Sequence, residues 1–225
     1  GVQIVATGLR ENKSLSPEDI QDADLVGITA TSALFGNATE VLGTIRAWRP
    51  ELPVVLGGAH ATICTDSTLE AGFDYAILGE AERTIIQFVE NLDRGQERET
   101  HGIAFLNDQG EVHKTPAGTL IEDLDTLPFP ARDLYDYDAF RAAGGWEFGI
   151  MSSRGCPFRC TFCQPTLNMI FGRMRKRGPE NVAEEMAQLQ EQYAPAILYF
   201  KDDTLSANGL DWFARFTSGA VMKAR

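Results

Sequence analysis

No run of apolar residues in this sequence approaches the length of a membrane span, so no segment is expected to cross a bilayer. A basic balance is also missing. Against 32 Asp and Glu stand 20 Lys and Arg, a formal net charge of −12, which speaks against clamping nucleic acid through its phosphates. Such acidity serves solubility first, and it fits a cytoplasmic enzyme with a small-molecule partner. The start shows neither Met nor the basic and apolar segments of a signal peptide. Gly1 runs straight into Val2-Gln3-Ile4-Val5, which reads as the interior of a domain cut on its N-terminal side. Cysteine is scarce: Cys64 stands alone and three others share eight residues. Bridging within so tight a run is geometrically poor and leaves one over, so a reducing compartment is expected rather than a disulfide scaffold. Internal repeats and low-complexity tracts are absent as well.

What is present is a globular composition, 44% hydrophobic and 23% charged, in a chain long enough for two domains. Residues 1–93 alternate short apolar runs with helical patterns, the sequence form of an open, flavodoxin-like (Rossmann-like) parallel α/β sheet. Strands are expected at Val2 to Ala6, Asp24 to Thr31, Pro53 to Gly58 and Tyr75 to Gly79. Helices are expected after Ser16-Pro17, over 37–48 with Val41, Leu42, Ile45 and Trp48 inward, and over 80–93 with Ile85, Phe88, Val89 and Leu92 inward. Residues 94–145 read as a β-hairpin around Asp108-Gln109-Gly110, then a proline-bearing interdomain connector (LDTLPFPARDLYDYDAF) unsuited to a regular helix. Residues 146–225 read strand, helix, strand, helix: Phe148 to Met151, a helix from Pro179 with Val182, Met186, Leu189 and Tyr193 inward, Ala196 to Phe200, and 208–216. That is the first part of a β/α, partial TIM-like barrel, with the later strands expected to lie outside this sequence.

Between the strand at Phe148 and the helix at Pro179 sits Arg154-Gly155-Cys156-Pro157-Phe158-Arg159-Cys160-Thr161-Phe162-Cys163, spaced C-x3-C-x2-C. Thiolates are soft ligands that select iron–sulfur clusters, zinc or copper(I). Closed structural zinc needs four ligands, and no fourth Cys or His lies nearby. Three cysteines on one loop leave one iron of a 4Fe-4S cube open to a substrate. The bland alternative is a degenerate zinc knuckle.

CPFRCTFC after a strand resembles the radical S-adenosylmethionine superfamily. The resemblance implies that Cys156, Cys160 and Cys163 hold the cluster. S-adenosylmethionine would chelate the fourth iron, and an electron would split it into methionine and a deoxyadenosyl radical. It places Phe162 beside the adenine. It also sets the methionine-binding acidic motif on Asp202-Asp203, where the usual Gly-Gly-Glu is replaced; a solvated strand end is the alternative there.

In an open parallel sheet, ligands bind at the carboxyl ends of strands. Thr31, Ser32 and Leu34 follow one such end, Gly57, Gly58, His60 and Thr62 the next, and Gly79 and Glu80 the third. Small residues there let a flat cofactor approach the backbone closely. Ser32-x-Leu34, followed after 22 residues by Gly57-Gly58, resembles the cobalamin-binding domain of corrinoid enzymes, where these elements line the slot for the nucleotide tail. Glycines after strands also recur in any flavodoxin-like fold. His60 is a tempting cobalt ligand, although such a histidine more often hydrogen-bonds locally. Cys64 reads as a small buried residue.

Together these segments resemble the cobalamin-dependent radical S-adenosylmethionine subfamily. The resemblance implies methyl transfer to an unactivated carbon or related centre, with a reductant such as flavodoxin or ferredoxin. An oxidative cyclase or ring-remodelling enzyme is the alternative within the family. A methylthiotransferase would bring three more cysteines ahead of the loop, where only Cys64 stands. A non-catalytic cofactor-binding module is the reading of another class, since only 62 residues follow Cys163.

Overall fold

Apolar runs no longer than a strand needs build a parallel core of β1 (Val26–Thr29), β2 (Val54–Gly57) and β3 (Tyr75–Ile77), in that order. The structure, a computed structural model, describes residues 15–134, 136–142, 147–163 and 172–219. The strand expected at Val2 to Ala6 lies outside them. The described residues divide into two units, 15–121 and 122–219.

In the first unit, β2 is buried along Val54, Val55 and Leu56, the near-continuous apolar run of a strand covered on both faces. On one face, Leu42 and Ile45 of α2 (Phe35–Trp48) and Leu69 of α4 (Thr65–Glu70) pack with Val54, Leu56 and Ala76. On the other, Phe88 of α5 (Glu82–Leu92) packs with Val55, Tyr75, Ile77 and Ile103. Helix α1 (Pro17–Ile20) opens as its sequence suggests: the Asp19 carboxylate accepts from the Ser16 N–H at 2.8 Å and from its hydroxyl at 2.9 Å. The hairpin β4 (Ile103–Leu106) and β5 (Val112–Lys114) joins this sheet, β4 pairing antiparallel with β3. Its turn is held by Asn107 Oδ1, which accepts from the N–H groups of Gln109 and Glu111 at 3.0 and 2.8 Å.

Three expectations give way in this unit. Trp48 and Val89 are 38% and 42% exposed, because a helix covered on one side buries the centre of its stripe and leaves its borders wet. Cys64 is only partly buried. The short α3 (Ala59–Ile63) and α4, which bridge β2 and β3, carry no helical stripe long enough to read.

In the second unit, β6 (Glu147–Ile150) pairs parallel with β9 (Ile197–Phe200). Phe148 and Ile150 pack beneath α7 (Pro179–Tyr193) and α8 (Leu210–Gly219), against Val182, Leu189 and Trp212. The connector is not wholly irregular. Past Pro128 and Pro130 it forms α6 (Tyr137–Ala142), whose Tyr137 stacks on Phe148 at 4.4 Å between ring centroids. Proline forbids a helix only where its ring and missing N–H fall.

A buried carboxylate ties this unit together. Glu185 of α7 is 2% exposed. Its Oε1 meets Arg132 Nη2 at 2.5 Å and its Oε2 meets Arg177 Nη1 at 2.5 Å. The same guanidiniums donate to the carbonyls of Gly149 at 3.0 Å and Met151 at 2.8 Å. These carbonyls alternate with Ile150 O, which accepts from Lys201 N on the β9 side. They therefore lie on the edge of β6 that β9 leaves unpaired.

Glu185→Ala strips the neutralising charge from two crowded guanidiniums and is expected to cost about 3–5 kcal/mol. Hydrogen exchange should quicken throughout α7 and leave α2 unchanged; equal protection of α7 would remove the carboxylate from this role. A second expectation concerns Tyr75, which donates to Glu97 Oε1 at 2.9 Å. Burial and then the Glu97 carboxylate push its pKa up to about 12. The folded chain keeps this phenol protonated where the unfolded chain, near pH ~10, releases it. Stability should therefore fall as pH rises from about 10 to about 12. Tyr75→Phe should flatten that part of the curve in urea titrations at each pH.

Candidate functional site

Because β1, β2 and β3 run parallel, their carboxyl ends open on the same side of the sheet. The chain after β2 turns at Gly58, whose φ of +89° suits glycine alone; a Cβ there would stand 2.7 Å from Thr29 Oγ1. That turn brings the sequence-expected residues together. His60 N donates to Ala30 O at 3.1 Å, and His60 Nδ1 lies 3.0 Å from Ser32 Oγ. Thr62 Oγ1 donates to Gly58 O at 3.1 Å and accepts from Gly79 N at 2.9 Å, joining the ends of β2 and β3. Thr31, Ser32 and Leu34 are exposed on the turn after β1, while Gly57, Gly79 and Glu80 are half-buried.

His60 is 6% exposed, and burial pushes its pKa down. Its Nε2 lies 3.3 Å from Ser67 Oγ, and its ring stacks on Phe35 at 3.8 Å. With both nitrogens on hydroxyls, it is held as a local hydrogen-bonding group rather than presented as a cobalt ligand. Phe35 and Ser67 had no signal in the sequence, since Ser67 sits on a helix that no periodicity announced. The exposed hydroxyls and strand-end glycines fit the close approach of a flat cofactor with a polar tail.

In the second unit, the cysteine loop leaves β7 (Ser153–Arg154), which pairs antiparallel with β8 (Arg175–Lys176) and so closes the loop at its base. Gly155 turns at φ +78°, a left-handed backbone conformation that side-chain-bearing residues rarely adopt. Cys156 is half-buried with its Sγ 3.2 Å from Thr204 Oγ1, Cys160 is exposed, and Cys163 is half-buried. Cys163 N donates to Cys160 O at 3.2 Å. Burial, and then the charges of Cys160, Cys156 and Asp203, push the Cys163 thiol up. The three sulfurs are thus electrostatic neighbours. Phe162 is 87% exposed.

The acidic pair divides. Asp202 turns inward: its carboxylate accepts from Ser152 N at 3.1 and 3.0 Å, Ser152 Oγ at 2.6 Å and Ser153 Oγ at 2.5 Å. It clamps the end of β9 to the end of β6. Buried Asn208 donates to Ser152 Oγ at 2.6 Å from behind. Asp203 stays on the cysteine side, and its own pKa is raised by burial and by Asp202. Thr204, Ser152 and Asn208 were not singled out in the sequence; Thr204 could have been, as the hydroxyl next to the acidic pair.

Among the described residues no group of three His, Cys, Asp or Glu closes on a point fit for one metal ion. The donor set is nonetheless three soft thiols on one short loop with a carboxylate beside them, which fits a thiophilic cluster.

A parallel α/β sheet with small and hydroxyl-bearing residues at its strand ends, followed by a β/α unit carrying a three-cysteine loop, is the class of protein these features define. Residues 18–89 match the B12 binding domain. The chain is 37% identical over 193 residues to an uncharacterized methyltransferase of Pyrococcus horikoshii, covering 83% of this chain and 41% of that protein. It is 29% identical over 188 residues to the anaerobic magnesium-protoporphyrin IX monomethyl ester cyclase of Rubrivivax gelatinosus, covering 80% of this chain and 33% of that protein. The radical S-adenosylmethionine methyltransferase TsrM from Kitasatospora setae, solved with cobalamin and a [4Fe-4S] cluster bound, shares the fold. Its TM-score is 0.66 at 18% identity, over 85% of this chain and 40% of that one. The chain is therefore a partial-length match to the cobalamin-dependent radical S-adenosylmethionine methyltransferases and cyclases, the family its cysteine loop and strand ends resemble. It spans about two-fifths or less of the length of these relatives.

The clamp geometry makes the two aspartates separable. Asp202→Ala leaves the buried hydroxyls of Ser152 and Ser153 without their charged acceptor and is expected to cost about 3 kcal/mol. Asp203→Ala should stay within about 0.5 kcal/mol. Urea midpoints of the two variants measure this, and equal midpoints would show that Asp202 does not hold the strand ends.

Proposed function

We propose that the protein is a radical S-adenosylmethionine enzyme that uses cobalamin to methylate an unactivated carbon or a related centre of a small molecule. The observation that carries this reading is the order of two features along one chain: a match to the B12 binding domain over residues 18–89, then three cysteines spaced C-x3-C-x2-C on a loop leaving β7. Cys156, Cys160 and Cys163 would hold a 4Fe-4S cluster, which when bound supplies the electron for reductive cleavage of S-adenosylmethionine. The chain's own residues have defined tasks around it. Gly155 and the β7–β8 pair fix where the loop begins. Thr204 orients the Cys156 sulfur, Phe162 offers a bare ring for adenine, and Asp203 takes the methionine amino group while Asp202 holds the strand ends that position it. Thr31, Ser32, Leu34, Gly57, Gly58, Thr62, Gly79 and Glu80 line the place of the cobalamin tail, with His60 buried behind Ser32.

A one-electron donor of the flavodoxin or ferredoxin kind completes the chemistry, and a cytoplasmic location suits thiols that must stay reduced. No helix among the described residues is long and apolar enough to cross a membrane. Oxidative cyclisation is the second reading, favoured by the likeness to the magnesium-protoporphyrin cyclase; product analysis separates it from methyl transfer.

Anaerobic reconstitution with iron, sulfide and cobalamin is expected to give about four iron and about four sulfide per chain, with one corrinoid. In Cys160→Ala the brown absorbance and deoxyadenosine formation should vanish while cobalamin binding persists. Deoxyadenosine surviving in that variant would end the proposal.

A further inference from the structure

Within the second unit, the connector and β6 enclose a cavity of about 280 Å³. Its connector wall is built in advance. Leu124, Leu127 and Phe129 supply apolar surface, and Pro128 and Pro130 restrict the backbone that carries it. This stretch is fastened on both sides. Both carboxylate oxygens of Asp125 accept from Gly178 N at 2.9 Å, and Arg132 holds Glu185 at 2.5 Å. The Phe129 ring also faces the Arg177 guanidinium, 5.5 Å from its centroid. A wall already ordered leaves little entropy to lose when a ligand enters.

The charge of the lining runs against that of the chain. Among its described residues, Arg132, Arg154, Arg177 and Lys201 are cationic and Glu185 alone is anionic, in a chain of net charge −12. Glu185 spends its two oxygens on Arg132 and Arg177. Lys201 is committed least. Its stem passes over Gly149, where an added Cβ would stand 3.2 Å from Lys201 Cγ. Its Nζ is 3.8 Å from Glu147 Oε2, in a pair more than half exposed on each side, and 4.2 Å from the Tyr199 ring centroid. Neither contact is a hydrogen bond, so the ammonium keeps donors for a ligand. With Glu147 counted as well, the surroundings stay positive, and low-dielectric walls focus that field.

We propose that this cavity binds a small organic anion, its apolar body against Leu127, Phe129 and Met151 and its charged group on Lys201. None of the residues assigned above to the cluster, to S-adenosylmethionine or to cobalamin lines it. The site therefore requires neither cofactor.

NMR titration of the whole chain, with isotope-labelled methionine methyl groups and hydrocinnamate as the probe, tests it. The Met151 methyl should shift and saturate with a Kd of about 1 mM or below. That of Met186, packed in the core beneath the helices, should stay in place. Hydrocinnamamide has the same shape without the charge, and inorganic phosphate has charge without the apolar body; each should bind about tenfold more weakly. Lys201→Gln should weaken hydrocinnamate about tenfold and the amide less than about twofold, which also shows that the cavity has kept its shape. Lys201→Arg should restore most of the loss. Lys114→Gln removes a similarly exposed lysine of the first unit, 3.8 Å from Asp66, and should change nothing. No saturating shift at Met151, equal affinities for acid and amide, or phosphate bound as tightly as hydrocinnamate would each overturn the proposal. So would an unaltered affinity in Lys201→Gln or an equal loss in Lys114→Gln.

Discussion

The second unit depends on a carboxylate that has no business being dry. Burying the Glu185 charge alone would cost several kcal/mol, and the fold compensates with two guanidiniums rather than one. The surplus donors of Arg132 and Arg177 then reach the edge carbonyls of β6. One ion triad thereby joins the connector, helix α7 and the edge of β6 that faces away from β9. The segment beyond β6 inherits that fixity. Ser152 and Ser153 stand where Asp202 can hold them, β7 meets β8, and the loop enters its first cysteine against Thr204. A connector that looks like a passive tether in composition is a structural part of the site's foundation.

The first unit solves a similar problem with neutral groups. Three parallel strands end together, and their small residues leave backbone close to solvent. Hydroxyls do the joining: Thr62 between the ends of β2 and β3, Ser32 and Ser67 on either side of a neutral imidazole.

Elements whose signal is local were legible in the sequence. The strands of the first sheet, the hairpin, α7 with its proline start and the cysteine loop all declare themselves within a dozen residues. Contacts decided across the chain were not. Ser32 meets His60 28 residues away, Arg132 meets Glu185 across 53, and Cys156 meets Thr204 across 48. Neither composition nor periodicity encodes such pairs. The aspartates show the limit most sharply. Asp202 and Asp203 are chemically identical neighbours, and only the register of β6 on β9, with Ile150 opposite Phe200, decides which carboxylate turns to the serines.

That division has an electrostatic consequence for the proposed cluster. Asp203 remains beside the cysteine loop, and Cys163 bears the sum of burial, two sulfurs and a carboxylate. Left to itself this thiol favours the protonated, uncharged state. Thiolates that repel one another are also those that gain most from a shared cationic centre, because the cation replaces repulsion with coordination at every sulfur. The effect falls on Cys163, whose thiol lies within reach of two other sulfurs and a carboxylate. Had Asp202 faced outward as well, a second carboxylate would have deepened the repulsion; turned toward Ser152 and Ser153, it spends its charge on four hydrogen bonds instead.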